Sequence, residues 1–320
     1  KEAHVVVVQY LHTLEALAFV EALKACHPDV VFLMEIDDFL LDTPSYNQAF
    51  DGYHPGSKFR EVAVEQMRAL DGIIVSTPFL KEAYEEFNPY VYVVPNSLDF
   101  RVWDKVHPEH YKEVRIGWAG GGTHRDDLAI VEKPLKDLLR KYTNVWFYCL
   151  AGVPEFFKNQ SRMVCPIKWF TMKQYPQKLA KYGFDIGLAP LVDNNFNRAK
   201  SNLRKLEYGG LRIPVVASAV GEFARTVNHG KDGFLFRTPE ELYRGLELLC
   251  LNEKLREAMG KYNGLDVRQK FDVDQTAKGY VEILKECAER GQTTKVDVST
   301  RAQRTGATKW TEGLPAALSR

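Results

Sequence analysis

Cysteine is scarce and unpaired in this sequence. The 320-residue chain has five, at positions 26, 149, 165, 250 and 287, and no two are spaced as CxxC. An odd, scattered set excludes a disulfide framework and a thiolate zinc site as first readings, and makes a reducing cytoplasm the expected setting. Charge of one sign is also lacking: 43 Lys and Arg against 42 Asp and Glu leave a net charge of +1. No overall field therefore draws in nucleic acid or anionic membrane, and any anion has to be bound locally. Long hydrophobic runs are missing too; none nears the roughly 18 residues a membrane-spanning helix needs. The opening KEAHVVVVQYLHT is too short and too polar-flanked for a signal peptide. It starts on Lys1 rather than methionine and enters a strand-like segment at once, which reads as a cut or processed start. No repeat of fixed period is present.

What is there is ordinary globular material, 45% hydrophobic and 27% charged, in a length that allows two cores. Short β-branched runs alternate with helical periodicity throughout, which predicts α/β architecture with parallel sheets. Expected strands fall at 5–9, 29–36, 72–76 and 90–95, with helices at 14–26, 59–70 and 78–87 between them. A second series has expected strands at 114–122, 145–152, 164–169, 185–191, 213–218 and 233–237, interleaved with helices. The predicted organisation is an N-terminal domain over 1–98, a linker at 99–113, a second domain over 114–273, a closing helix at 274–289 and a disordered tail at 290–320. Ligands of such folds bind beyond the carboxyl ends of the strands, and two facing domains enclose a cleft.

Three stretches carry candidate chemistry. IGWAGGGTHRDDL (116–128) runs from a strand through Gly120, Gly121 and Gly122 into a helix. Glycines let backbone N–H groups approach an anion, and a helix start adds partial positive charge; a tight turn with an aspartate cap is the alternative. The segment is not GxGxxG and predicts no dinucleotide fingerprint. FNRAKSNLRKLEYGG (196–210) holds Arg198, Lys200, Arg204 and Lys205 ahead of Glu207. With Ser201 as the expected N-cap, Lys200, Arg204 and Glu207 fall at i, i+4 and i+7 on one face, with about 10 Å between the first and last. That span matches a diphosphate and its ribose: cations for phosphate, a carboxylate for sugar hydroxyls. Lys205 points about 140° away and is expected to be solvated surface. MEIDDFLLD (34–42) places Asp37 at the end of a strand, facing the cleft, with Asp38 as a loop cap. Its acids resemble a metal site only loosely, strict DxD being absent, so no metal is expected. His107 and His110 lie in the linker and are expected to be exposed.

RKLEYGGLRIPVVAS (204–218) resembles the donor-site segment of GT-B glycosyltransferases, particularly the large retaining family 4. GIIVSTPFLKEAY and VYVVPNSLDF resemble the end of that family's first domain, IGWAGGGTHRDDL the glycine-rich start of its second, and NHGKDGFLF a late turn. The resemblance covers about residues 1–288 and implies two Rossmann-like βαβ domains across a cleft, the first of them shortened. Glu207 falls on the family's ribose-binding glutamate, whereas the first glutamate of the pair is Ala199 here. Asp37 stands where many members carry histidine; His124, Arg125 and Lys200 replace the usual basic pair after the glycine turn. Trp169 follows the strand beside which relatives hold the nucleobase, or is a core tryptophan.

The resemblance thus implies a glycosyltransferase using a UDP- or GDP-sugar, without further cofactor. Asp37, Lys200 and His124 are its catalytic candidates, and Gly120, Gly121, Gly122, Thr123, Trp169, Arg198, Ser201, Leu203 and Glu207 its donor contacts. The acceptor is a glycan, a lipid-linked sugar or a polymer. Retention is implied by the family; a cleft aspartate acting as general base would instead give inversion. A non-catalytic sugar-nucleotide or glycan binder is the competing class. Nucleic-acid binding through Arg198 to Lys205 is disfavoured by the neutral charge and the lack of interleaved aromatics, although a DNA- or polymer-modifying transferase stays open. Oligomeric state is left open.

Overall fold

The computed structural model describes residues 3–11, 13–47, 50–121, 124–150, 157, 160–166, 170–171 and 173–305, with side chains to 291. The first part of the chain runs β1 (Val5–Gln9), α1 (Leu14–Cys26), β2 (Val31–Ile36), α2 (Phe50–Tyr53), α3 (Lys58–Ala69), β3 (Gly72–Val75), α4 (Pro78–Tyr84) and β4 (Val91–Val93). Its four strands form a parallel sheet in the order β1-β2-β3-β4. α5 (Phe100–Trp103) then leads to β5 (Val114–Ala119), α6 (Arg125–Ala129), α7 (Glu132–Lys141), β6 (Val145–Leu150), β7 (Met163–Val164), α8 (Tyr175–Lys181), β8 (Ile186–Ala189) and α9 (Asn195–Arg198). α10 (Leu203–Gly210), β9 (Val215–Ser218), α11 (Gly221–Thr226), β10 (Gly233–Phe236), α12 (Pro239–Leu251), α13 (Glu253–Phe271) and α14 (Val273–Thr305) follow. The second sheet is parallel with order β10-β9-β8-β5-β6-β7. The α/β class expected from the alternating pattern is the observed one.

The apolar runs become strands because helices cover both faces: β2, β3, β5 and β8 are buried almost throughout. Threonine and serine caps start the helices where the sequence places them, as at Thr13, Ser57 and Thr77, and Thr238 and Glu241 form a capping box. The segment read as a linker is partly structural, since Phe100 and Trp103 of α5 are buried in the second domain's core. The helical stretch between β5 and β6 is two helices, α6 and α7, with a break at Ile130–Val131. α14 runs on to Thr305, past the expected end at 289 and into the stretch expected to be disordered. Its residues Ile283, Leu284 and Cys287 pack on Val31 and Leu33 of β2, so the last helix returns to the first domain. The crossing point is fixed by Leu98 and Asp272, which pair as a parallel bridge.

Candidate active site at the carboxyl ends of the two sheets

α10 is laid over the second sheet by Tyr208, whose ring occupies the space a Cβ on Gly187 would take. The Tyr208 hydroxyl lies 3.2 Å from Gly117 O and 3.1 Å from Leu188 O, which ties the helix to β5 and β8 together. With Leu206 and Tyr208 turned into the core, Arg204 and Glu207, one turn apart, share the remaining face. Arg204 donates Nε–H to Ala119 O at 2.8 Å, and its guanidinium lies 5.3 Å from the Trp118 ring centroid. It reaches the turn after β5 because residue 120 is glycine; a Cβ there would meet Arg204 Nη2 at 2.6 Å. Glu207 Oε2 accepts from the Tyr175 hydroxyl at 3.0 Å. Burial pushes the Glu207 carboxyl up to about 7, against the Tyr175 hydrogen bond and Arg204, which favour its ionised form.

Lys200 lies in the link between α9 and α10. Its ammonium is 3.8 Å from Asp38 Oδ1 of the first domain and 4.3 Å from the Phe196 ring. Burial lowers its pKa from the ordinary lysine value, with Asp38 opposing. Ser201 is not the cap of α10: the N-cap position is Asn202, and the Ser201 hydroxyl accepts from Asn96 Nδ2 at 2.8 Å across the domain boundary. The helix begins at Leu203, so Lys200 reaches the site from the preceding turn and not from the face that carries Arg204 and Glu207. Leu203 itself is exposed at the first position of α10. Arg198 is exposed and committed to Asp193 at 2.6 Å.

His124 opens α6. Its Nδ1 is 2.6 Å from Asp127 Oδ2, while Asp127 Oδ1 accepts from Val192 N and from Asn197 Nδ2, both at 2.8 Å. The ring stands edge-on to Trp118 at 5.9 Å. Burial, with Arg204 adding to it, depresses His124 to about 4 despite Asp127, so the imidazole is neutral at physiological pH. Asp127 therefore joins the glycine turn to the loops after β8, a role the sequence did not announce. Gly120 and Gly121 are in the turn, with Gly120 N donating to Leu150 O at 3.3 Å. Gly122, Thr123 and Trp169 lie outside the described residues.

Across the cleft, Asp37 follows β2, and burial together with Asp38 raises its pKa against Lys200. It lines a cavity of about 270 Å³ at the carboxyl ends of β1 to β4, with Gln9, Tyr10, Glu35, Ser76 and Asn96. The Ser76 hydroxyl, in a residue 8% exposed, finds no partner among the described residues. Thr77 Oγ1 to Ala199 O at 3.0 Å and Asn194 Nδ2 to Tyr46 OH at 3.0 Å hold the domains together beside it. Ala199, where the family's first glutamate would be, is buried in this seam. Among the described residues no group of three or more His, Cys, Asp or Glu is placed to hold a metal. No helix there is long and apolar enough to cross a membrane. His107 and His110 are exposed, as expected.

Lys205 corrects the sequence reading. It is wholly buried, 2.5 Å from Asp266 Oδ2 of α13 and 3.3 Å from Asp232 Oδ2. Rotation about α10 turns it away from Arg204, as expected, but toward α13 instead of solvent.

Residues 204–265 match the family described as glycosyl transferases group 1. No curated protein sequence matches the chain. The fold is similar to that of S. aureus TarM, in a variant solved with fondaparinux, α-GlcNAc-glycerol and UDP, at 14% identity and a TM-score of 0.63, covering 83% of this chain and 53% of that one. It is similar to Anabaena HepE in complex with UDP and glucose, at 15% identity and a TM-score of 0.65, covering 88% and 77%. Sucrose-phosphate synthase from Thermosynechococcus elongatus matches at 13% identity and a TM-score of 0.59, covering 88% and 73%. The chain thus spans about half the length of TarM and about three quarters of the other two. The fold is thus similar to that of these glycosyltransferases, and the segment from α10 into α13 matches the glycosyl transferases group 1 family.

Proposed function

We propose that the protein transfers a sugar from a nucleoside-diphosphate donor of the UDP type to an acceptor hydroxyl held in the first domain. The observation that carries this is the grouping of Arg204, Lys200 and Glu207 around the glycine turn, opposite Asp37. Arg204 and Lys200 would face the diphosphate, and Glu207, held by Tyr175, the ribose hydroxyls. The UDP named for the TarM and HepE complexes supports the choice of nucleotide. As the bond from the anomeric carbon to the phosphate oxygen breaks, its electrons stay on the diphosphate. Arg204, already in place, and Lys200, once it exchanges Asp38 for the diphosphate, stabilise that growing charge. Neutral His124 adds no charge of its own; through Asp127 it holds the turn that presents the backbone.

The new bond forms from the acceptor oxygen to the anomeric carbon. In the retaining course, which the family supports, the leaving phosphate takes the acceptor's proton. Asp37 favours a second course: its raised pKa suits a general base, and inversion would follow. Glu35, Asp37, Ser76 and Asn96 around the cavity support an uncharged, hydroxyl-rich acceptor, such as a glycan, over a phosphorylated one. The two basic side chains replace a divalent ion in this reading, and the setting is cytoplasmic.

The experiment is a thermal-shift panel of UDP, GDP and TDP and their sugars, followed by NMR of the anomeric proton in the product. UDP-specific stabilisation with turnover is the expected result. Nucleotide binding with neither transfer nor donor hydrolysis would leave a binding module, and absence of nucleotide stabilisation would remove the reading altogether.

A further inference from the structure

β6 and β7 pair in parallel, with Phe147 opposite Met163 and Tyr148 opposite Val164. Continued one residue past the end of β7, that register would set Cys149 opposite Cys165. Register partners on neighbouring strands lie about 4.8 Å apart with side chains on one face. A disulfide bridges Cα separations of roughly 4.4–6.8 Å. A hydrogen bond between the two thiols pushes Cys149 up and Cys165 down, the sense expected when Cys149 donates. Neither cysteine is in a disulfide; Cys149 is wholly buried and Cys165 partly open at the edge of the sheet.

We propose that Cys149 and Cys165 form a reversible dithiol–disulfide site, oxidised by small-molecule disulfides of the glutathione class. The roles divide by environment. The hydrogen bond from Cys149 holds the Cys165 thiol below its ordinary value, and partial exposure leaves it open to attack. Giving that hydrogen bond and being buried push Cys149 up, so it reacts second. The Cys165 thiolate attacks one sulfur of the small disulfide, breaking its S–S bond and releasing one thiolate. The Cys149 sulfur, losing its proton to solvent, then attacks Cys165 Sγ and expels the second. Two protein thiols give up two electrons and two protons, and one small disulfide becomes two thiols.

The site sits where its oxidation state is felt. Cys149 is the register partner of Trp118, on which Arg204 rests, and it precedes Leu150, which accepts from Gly120 N. A bond there ties the short edge strand β7 to the strand that supports the glycine turn. The chemistry does not depend on what the cleft binds.

The test is incubation of the full chain with oxidised glutathione, alkylation of the remaining thiols, digestion and mass spectrometry. The expected product is a peptide pair linked through Cys149 and Cys165 and reopened by reduced glutathione. Cys165→Ser should abolish it while exposed Cys26 is glutathionylated as before, which proves the oxidant active. A lasting glutathione adduct on Cys165 with Cys149 still free would overturn the proposal. So would two unmodified thiols in a protein whose Cys26 has reacted. Should Cys149→Ser fail to fold, Cys165→Ser, at the partly open position, decides alone.

Discussion

Lys205 Nζ lies 2.5 Å from Asp266 Oδ2 and 3.3 Å from Asp232 Oδ2, with neither Lys205 nor Asp232 reached by solvent. One cation thus joins α10, α13 and the turn before β10, and sets the angle at which α10 carries Arg204 and Glu207. Removing one partner of a buried ion pair leaves the other uncompensated and costs about 3–5 kcal/mol. Lys205→Met is expected to lose stability in that range by chemical denaturation. Asp266 keeps Lys270 at 2.6 Å, but Asp232 loses a buried counter-charge. A loss below about 1 kcal/mol, the level of an exposed pair, would show that the contact contributes no more than surface electrostatics.

Glu207 makes nucleotide affinity depend on pH. Burial raises its pKa from 4.5 to about 7 in the free protein, whereas accepting from two ribose hydroxyls favours the ionised form. Affinity for UDP should therefore increase as pH rises through about 7 and level off above it. The free protein should follow the opposite trend: the Glu207 contribution to stability is full below about 4.5 and is lost as pH rises through about 7. Glu207→Gln should flatten both profiles, and Glu207→Ala should weaken UDP binding by about 1.5–3 kcal/mol. Calorimetric titrations across this pH range check it; an unchanged slope in Glu207→Gln assigns the pH dependence elsewhere.

The strands were legible because β-branched runs buried on both faces leave a strong local pattern; all but β7 fall within the expected runs, and β7 overlaps its run, 164–169, only at Val164. Arg204 and Glu207 were legible as a pair on one helix face. What Arg204 does was not, since its partner Ala119 O belongs to the end of β5, distant in sequence. Lys205 was misread for the same reason: a lysine turned away from the Arg204–Glu207 face reads as surface until Asp232 and Asp266 are folded against it. Ser201 had the composition of a cap, but Asn96 of the other domain takes its hydroxyl. Cys149 and Cys165 share no motif spacing; only the register of two strands brings them together.

His124 should be silent as a titrating group in turnover yet visible in stability. It is depressed from 6.5 to about 4 by burial and Arg204, so below about 6.5 the unfolded chain binds a proton that the folded protein refuses. Stability is expected to fall as pH drops from about 6.5 to about 4, by up to roughly 1.4 kcal/mol per pH unit from this group. His124→Gln should remove that slope in acid denaturation. If wild type and variant run parallel, the histidine is protonated in the fold and the buried environment assigned to it is wrong.

Lys200 and Arg204 should separate in kinetics. Lys200 stands between Asp38 of one domain and the loop that leads to α10, with its ammonium partly desolvated. Arg204 is held to Ala119 O and to Trp118 before any ligand arrives. Needing no rearrangement, Arg204 meets the diphosphate in the bound donor and still more strongly as its charge grows, so Arg204→Ala should weaken UDP binding and turnover together. Lys200 has to leave Asp38 to meet the diphosphate, and that exchange is most favourable when leaving-group charge is greatest. Lys200→Ala should therefore lower kcat by about tenfold or more, with UDP affinity changed by less than about threefold. Steady-state kinetics beside UDP titrations of the two variants make the comparison. Equal losses of kcat and affinity in Lys200→Ala would mean that the lysine only helps to hold the nucleotide, leaving Arg204 and the glycine turn as the groups that stabilise departure.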